Sequence, residues 1–319
     1  MITRQLGRSG IEVSALGLGC WAIGGPFWRG EQPVGWGQVD DAESLRAVQL
    51  GLDMGVTFFD TSDVYGCGHS ERVLGQALAG RRADVVIATK FGNVFDEETR
   101  QITGADASPT AIRQACEASL RRLNTEYIDL YQFHLGDYPA DQAGDVRDTL
   151  EELVGAGKIR GYAWSTDDTA RVRVFAEGPH CTAVQHHLNL FDDAPAMIAL
   201  CEDLNLASVN RGPLAMGLLT GKFSARTQLP PDDVRRGWDF QHGAQATQLS
   251  QLEAVREVLT AGGRTLAQGA LGWLWARTEK TAPIPGFKTR EQVADNAGAL
   301  RHGPLSPAQM AEINTLLGR

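Results

Sequence analysis

The chain has 319 residues, 43% apolar and 22% charged, which are the proportions of a globular protein with ample length to bury a core. A net charge of −9 argues against a general nucleic-acid surface. No apolar run approaches the roughly 20 residues of a membrane span, and MITRQLGRSG shows no secretory apolar region.

The chain opens with two extended pieces, ITRQL and IEVSAL, around the turn GRSG, the pattern of a β-hairpin. Strand-like runs then alternate with helical patterns. The strand candidates are ALGLG, TFFDTS, DVVIATKFG, IDLYQFH, RGYAWS, TAVQHH, ASVNRG and TAPIPG. Ser108 before Pro109 is an N-cap and first-turn pair, followed by Ile112, Cys116, Ser119 and Leu123 at helical spacing. Similar patterns cover 41–54, 70–79, 145–156, 169–176, 195–204, 265–277 and 290–300. Eight strands alternating with eight helices imply a parallel sheet with right-handed crossovers. An open doubly wound sheet would satisfy the alternation, but eight units in this length favour a closed (β/α)8 TIM barrel. The expectation is one α/β domain over 1–319, with an N-terminal β-hairpin and an extra C-terminal helix after Ser306-Pro307. Three stretches between elements are long, 24–40, 92–108 and 223–248, and such loops are more often functional than idle.

The polar groups fall in register. Side chains alternate along a strand, so Phe58 shares a face with Asp60, Val86 and Ala88 with Lys90, and Ile128, Leu130 and Gln132 with His134. Each apolar set ends on an ionisable residue at the carboxyl end of its strand, where a barrel gathers its catalytic groups. Asp60, Lys90 and His134 should therefore meet, with Tyr65 overhanging from the next loop. A phenol has an ordinary pKa of about 10, and a nearby ammonium should lower it. Such a phenol can protonate a carbonyl oxygen as a hydride reaches the carbon. Taken singly, each residue reads more simply as a cap or a solvated surface group; four in consistent register favour chemistry.

These residues sit in motifs that resemble those of the aldo-keto reductases: DTSDVYG-x-x-x-SE, ATKFG, LYQFH, the Ser-Thr pair of GYAWST, VQHHLNLF, GPLAMGLLTGK and IPGFKTREQVADN, in the family order from the hairpin to about residue 300. The resemblance implies an NADPH-dependent oxidoreductase that transfers hydride to an aldehyde or ketone, or back from an alcohol. It implies a catalytic tetrad of Asp60, Tyr65, Lys90 and His134, and no bound metal. No metal-ligand motif appears among the histidines and carboxylates, and His186 and His187, being adjacent, point to opposite strand faces. The same resemblance extends to potassium-channel β subunits, so the alternative is a nicotinamide-binding, redox-sensing regulatory subunit with little turnover.

The resemblance also places the NADP(H). Ser165, Thr166 and Gln185 match the residues that hold the carboxamide, although many members have Asn where Thr166 stands. Gly212, Pro213, Leu214, Gly217 and Leu219 follow the pyrophosphate path with Lys222 nearby; Trp21, Asp60, Asn210, Ile284, Gly286 and Phe287 belong to the same groove. Lys288, Thr289 and Arg290 precede a helix, where N–H groups and two cations suit a 2′-phosphate. Gln292 and Asn296, a helical turn apart, are placed for the adenine. Arg211 replaces the aromatic ring that many members set against the nicotinamide; its planar guanidinium either stacks there, clamps a phosphate, or pairs with a rim carboxylate. GLGCWA fits a dinucleotide fingerprint by letter, but IGGPFWRGEQP after it cannot open the helix that fingerprint needs. Trp28 and Trp36, on the 24–40 loop, either wall a substrate pocket or pack on the rim. Five cysteines, Cys20, Cys67, Cys116, Cys181 and Cys201, with no C-x-x-C, point to a reduced, cytoplasmic protein. The expected partner is a small carbonyl compound; the sequence leaves oligomeric state open.

Overall fold

The computed structural model describes residues 2–319. Strands β1 (Thr3–Gln5) and β2 (Glu12–Ser14) pair antiparallel around a single 3-10 turn at Gly7–Ser9. The next strand, β3 (Gly17–Gly19), begins the barrel. After it come two short strands, β4 (Trp28–Arg29) and β5 (Gln32–Pro33), then helix α1 (Asp41–Asp53), whose first turn is capped by the Asp40 carboxylate. The barrel continues through β6 (Phe58–Asp60), α2 (His69–Ala77) and β7 (Val86–Phe91). A hairpin, β8 (Asn93–Asp96) and β9 (Gln101–Ala105), leads to α3 (Pro109–Leu123). The remaining units are β10 (Leu130–Phe133), α4 (Gly144–Gly155), β11 (Tyr162–Ser165), α5 (Thr169–Ala176), β12 (Cys181–His187), α6 (Pro195–Asp203) and β13 (Ala207–Arg211). The chain ends with α7 (Ala244–Thr260), α8 (Leu266–Arg277), β14 (Thr281–Pro283), α9 (Arg290–Gly298) and α10 (Pro307–Leu316).

Eight strands form one parallel sheet in the order β3, β6, β7, β10, β11, β12, β13, β14. A bridge between Gly19 and Gly286 brings the last unit back to the first, and Gly19 N donates to Pro285 O at 3.0 Å. The seam is tight: a Cβ on Gly19 would lie 2.7 Å from the Ile284 carbonyl oxygen, so only glycine fits. Across the same seam Trp275 Nε1 donates to Ala15 O at 2.8 Å. The barrel interior holds Phe58, Val86, Ala88, Leu130, Ala163, Ala183, Val209 and Ile284, and Leu6, Ile11 and Val13 of the hairpin pack onto them. The hairpin is fixed to the amino ends of the strands, where Ser14 N donates to Thr57 Oγ1 at 2.9 Å and Arg8 Nε to Cys181 O at 2.8 Å. Larger side chains of the outer strand faces, such as Phe59, Tyr131, Phe133 and Trp164, pack under the helices.

The barrel, the opening hairpin and the final helix agree with the sequence reading. Two features differ from it. Helix α7 was not expected. The N-terminal half, AQATQLSQ, carries no apolar period, and Gly243 supplies no capping side chain. Leu252, Val255, Val258 and Leu259 hold it against α8 and α10. The 92–108 stretch is also not an irregular loop: β8 and β9 join β4 and β5 in a second, four-stranded sheet. Among the described residues no helix is long and apolar enough to cross a membrane, and no group of three or more His, Cys, Asp or Glu side chains is placed to hold a metal. All five cysteines are buried and unpaired.

Candidate active site

Asp60 is the last residue of β6 and Lys90 the penultimate residue of β7; both side chains are buried. Lys90 Nζ donates to Asp60 Oδ1 at 2.6 Å, to Thr61 O at 2.8 Å and to Tyr65 Oη at 3.2 Å. An ammonium has three protons, and each is used. The second carboxylate oxygen of Asp60 accepts from Gln132 Nε2 at 2.8 Å and Gln185 Nε2 at 2.7 Å. Gln132 was visible on the inward face of its strand, but its part in anchoring Asp60 was not; an amide inside an apolar alternation is the signal that marks it. This cluster satisfies a buried ion pair in the way such pairs require.

Tyr65 lies in the turn between β6 and α2. That turn is packed hard against the loop after β3: Gly66 has φ 61°, and a Cβ there would sit 1.9 Å from the Gly24 carbonyl oxygen. Tyr65 N donates to Ser62 O at 3.2 Å, and Ser70 N to Tyr65 O at 3.1 Å. Trp21 stacks on the Tyr65 ring at 5.9 Å, and Trp36 meets Trp21 edge-on at 5.2 Å. His134 follows β10, its ring edge-on to Tyr65 at 5.9 Å, with Nδ1 3.2 Å from Ser62 Oγ. The four residues expected to converge do so, and Trp21 and Trp36 join them. Trp28 does not: it stands on β4, paired with Pro33 and Gln101 in the outer sheet.

Burial is the dominant force on these groups. It pushes the Tyr65 phenol above its ordinary value; the Lys90 ammonium pulls down but does not win. The net direction is therefore opposite to the lowering expected from sequence, which counted the ammonium and not the desolvation. The consequence is a phenol that keeps its proton at neutral pH. Burial acts downward on Lys90, yet Asp60 and Tyr65 carry its ammonium above the usual value. Burial, then Lys90 and Arg211, hold His134 well below the ordinary histidine value, so its ring is neutral at neutral pH.

The residues assigned to a cofactor groove line the same end of the barrel but differ in freedom. Ser165 ends β11 with a hydroxyl that makes no hydrogen bond inside the described protein. Thr166 Oγ1 is occupied: it donates to Gly136 O at 2.9 Å and accepts from Asp168 N at 3.3 Å. Gln185 spends its amide protons on Asp60 and Gln132. Asn210 turns away, donating to Ser208 Oγ at 2.8 Å beside His186, on the strand face opposite Val209. Arg211 pairs with the Asp167 carboxylate, the rim arrangement among the three considered. After Gly212, Pro213 and Leu214 the backbone of Ala215, Met216 and Gly217 runs through positive φ of 47°, 52° and 98°, an unfavourable conformation for the two residues with a Cβ. Leu219 is buried beneath this turn, while the Lys222 ammonium lies 5.0 Å from the Phe223 ring centre.

At the barrel seam Ile284 and Phe287 are buried and Gly286 bridges to Gly19. Thr289 caps α9, its hydroxyl accepting Gln292 N at 3.4 Å. Lys288 Nζ donates to the carbonyls of Trp36 and Gln38. Arg290 donates to Glu43 Oε1 from its backbone N at 2.9 Å and its Nε at 3.2 Å. Gln292 Oε1 accepts Lys288 N at 2.7 Å, and Asn296 Nδ2 reaches Gly286 O at 3.4 Å. The 24–40 and 223–248 loops meet beside Lys288: Trp36, whose carbonyl accepts from Lys288 Nζ, bridges to Asp233, Val234 N donates to Gly35 O at 3.0 Å, and the Arg235 guanidinium lies 4.4 Å over the Trp36 ring.

Comparison with known proteins gives a consistent result. The profile of the Aldo/keto reductase family matches residues 15–317. Aldo-keto reductase YhdN of Bacillus subtilis (strain 168) is 30% identical over 319 residues, 98% of this chain and 92% of that protein. Glycerol dehydrogenase AKR11B4 from Gluconobacter oxydans superposes with a TM-score of 0.86 at 29% identity, covering 99% of this chain and 95% of that one. An aldo-keto reductase from Klebsiella pneumoniae, solved in complex with NADPH, gives a TM-score of 0.71 at 29% identity with the same coverage.

Proposed function

Because this chain belongs to the aldo/keto reductase family, we propose that it reduces a small aldehyde or ketone with NADPH and, in reverse, oxidises the alcohol, with Tyr65 as general acid and base. The observation that carries the reading is the buried Lys90 ammonium bonded at once to Asp60 and Tyr65. The groove residues fit a nicotinamide dinucleotide: Ser165 has an uncommitted hydroxyl at the rim, the 215–217 backbone is held in a strained turn that Arg235 Nη1 braces at Met216 O, 2.8 Å away, and cationic Lys288 and Arg290 flank the start of α9. NADPH supplies the hydride when bound.

This chain's residues supply the rest. Tyr65 keeps its proton until the carbonyl oxygen gains charge, then transfers it. Lys90 stabilises the phenolate that remains, and Asp60, fixed by Gln132 and Gln185, holds Lys90 in reach. His134, neutral, orients the carbonyl oxygen by a hydrogen bond. Trp21, stacked on Tyr65, closes one side of the pocket and excludes water. Ser165 hydrogen-bonds the carboxamide, and Lys288 and Arg290 hold the 2′-phosphate after exchanging part of their present contacts. The protein works in the cytoplasm.

The test is NADPH consumption across aromatic aldehydes, α-dicarbonyls, sugars and steroids, with polyol oxidation by NADP⁺ in parallel. Multiple turnovers on at least one carbonyl are expected. Tight NADPH retention with no turnover on any of them would replace the reductase with a redox-sensing binding protein.

A further inference from the structure

His134 is tied on its inner side to a group that the reaction does not otherwise use. Ser62 Oγ lies 3.2 Å from His134 Nδ1 and 3.1 Å from Asp63 Oδ1, and it accepts Val64 N at 3.4 Å. Asp63 and Ser62 are both buried. A hydroxyl has one proton to donate and two lone pairs. With Val64 on one lone pair, one proton and one lone pair remain for Asp63 and His134, so one of these partners must donate. An ionised Asp63 can only accept; it takes the Ser62 proton, and His134 must then carry its ring proton on Nδ1. A neutral Asp63 can donate to Ser62, which donates to Nδ1, and the ring proton sits on Nε2.

We infer that Asp63, acting through Ser62, sets which nitrogen of His134 bears the ring proton, and so whether His134 can donate a hydrogen bond to the substrate oxygen. Asp63 is a positioning residue. This rests on the reductase reading above. Only the Nε2–H form can donate outward while Ser62 occupies Nδ1.

The surroundings of Asp63 favour the neutral form. Glu71 of α2, Arg122 of α3, Tyr131 of β10 and Cys67 face it. Arg122, the nearby cation, is bonded to Glu71 at 2.7 Å and Glu97 at 3.2 Å, so two carboxylates already share its charge. Burial first, then Glu71, push the Asp63 carboxyl up to about 8. Burial first, then Lys90 and Arg211, which face His134, keep its ring from taking a second proton. The proton balance is simple. On going to the alkaline form the Asp63 proton moves to Ser62, the Ser62 proton to Nδ1, and the Nε2 proton leaves to solvent. One proton is lost and the ring stays neutral.

The inference is tested by nitrogen-15 NMR of the full-length protein labelled at histidine, from pH 6.5 to 9.5. The His134 ring should hold its proton on Nε2 at the acid end and on Nδ1 at the alkaline end, with the change centred near the Asp63 value of about 8. In Asp63→Ala, Ser62 has no other acceptor, and Nε2–H should persist at every pH. In step with this, wild-type kcat/KM for carbonyl reduction should fall as pH rises through that range, and Asp63→Ala should lose this step, falling only where Tyr65 titrates. Ser62→Ala should also abolish the change of tautomer, and it serves if Asp63→Ala does not fold. A wild-type ring that keeps one tautomer throughout, or a change that survives in either variant, overturns the inference. Tyr65→Phe separates the two readings: it should remove reduction and leave the NMR transition in place.

Discussion

At the amino end of the barrel, Leu6, Ile11 and Val13 of the hairpin close the interior against Phe58 and Val86. At the carboxyl end, the same strands finish in Asp60, Lys90, Gln132 and Gln185, which bond to one another and to Tyr65. The two ends lie only two to four residues apart along a strand: Phe58 and Asp60 share one face of β6, as Val86, Ala88 and Lys90 share one face of β7. One end gains free energy by removing apolar surface from water. The other holds charges that burial opposes and that only complete pairing makes tolerable. Stability should therefore be set at the floor and rate at the rim.

The sharpest test of that division is Tyr65→Phe. It removes one hydroxyl from the rim and leaves the ring against Trp21. Turnover should fall by about 10²- to 10⁴-fold, the range for a lost general acid, while the melting temperature stays near that of the wild type. Steady-state kinetics and calorimetry on the same sample give both numbers, and a variant with near-wild-type turnover removes Tyr65 from the chemistry. Leu6→Ala is the converse. Deleting a buried leucine should cost about 2–5 kcal/mol of stability with kcat unchanged below the unfolding transition; a matching loss of kcat would mean that the floor transmits strain to the rim.

Smaller effects belong to the groove. Replacing Lys288 and Arg290 by methionine should weaken NADPH by roughly tenfold or more per contact and NADH far less, measured by fluorescence titration. Equal losses would show that neither residue reads the 2′-phosphate. Smallest is Glu43→Gln. The carboxylate now engages Arg290 through backbone and side chain. Its loss should free the guanidinium and tighten NADPH by roughly two- to fivefold, the scale of an exposed ion pair. Weaker NADPH binding would mean instead that Glu43 positions Arg290 for the phosphate.

The rim was legible in the sequence because strand alternation is rigid. Once TFFD, VVIATK and IDLYQFH are taken as parallel strands, Asp60, Lys90 and His134 have no choice but to emerge together. The 2.6 Å pair of Lys90 with Asp60 follows from that register, whereas the 3.2 Å contact to Tyr65 also needs the turn that packs Gly66 against Gly24. What escaped was of two kinds. Helix α7 and the β8–β9 hairpin are held by tertiary contacts, through Leu252 and Val255 and through the bridge from Trp28 to Gln101, and their own sequences carry weak periodicity. The direction of the Tyr65 shift escaped because desolvation depends on everything packed around a group, and a neighbouring ammonium can be named from sequence while a missing water shell cannot. Asn210 shows the limit of register in the other direction. It stands beside Arg211 in the chain, and one residue of offset turns its amide to the opposite face.

The glycine seam between Gly19 and Gly286 also dictates an order of events as the chain is made. Asp60 and Lys90 lie 30 residues apart and can meet early, whereas Gln185 must travel across 125 residues to reach the same carboxylate, and Trp275 across 260 to reach Ala15. Contacts so distant in sequence carry the largest loop-closure entropy and form last. Until Gly286 arrives, β3 presents an unpaired parallel edge to any other chain emerging nearby. A lag in supplying the last unit should therefore appear as aggregation through β3, and a substitution that adds a Cβ at Gly19 should act on yield far more than on the activity of whatever protein does fold.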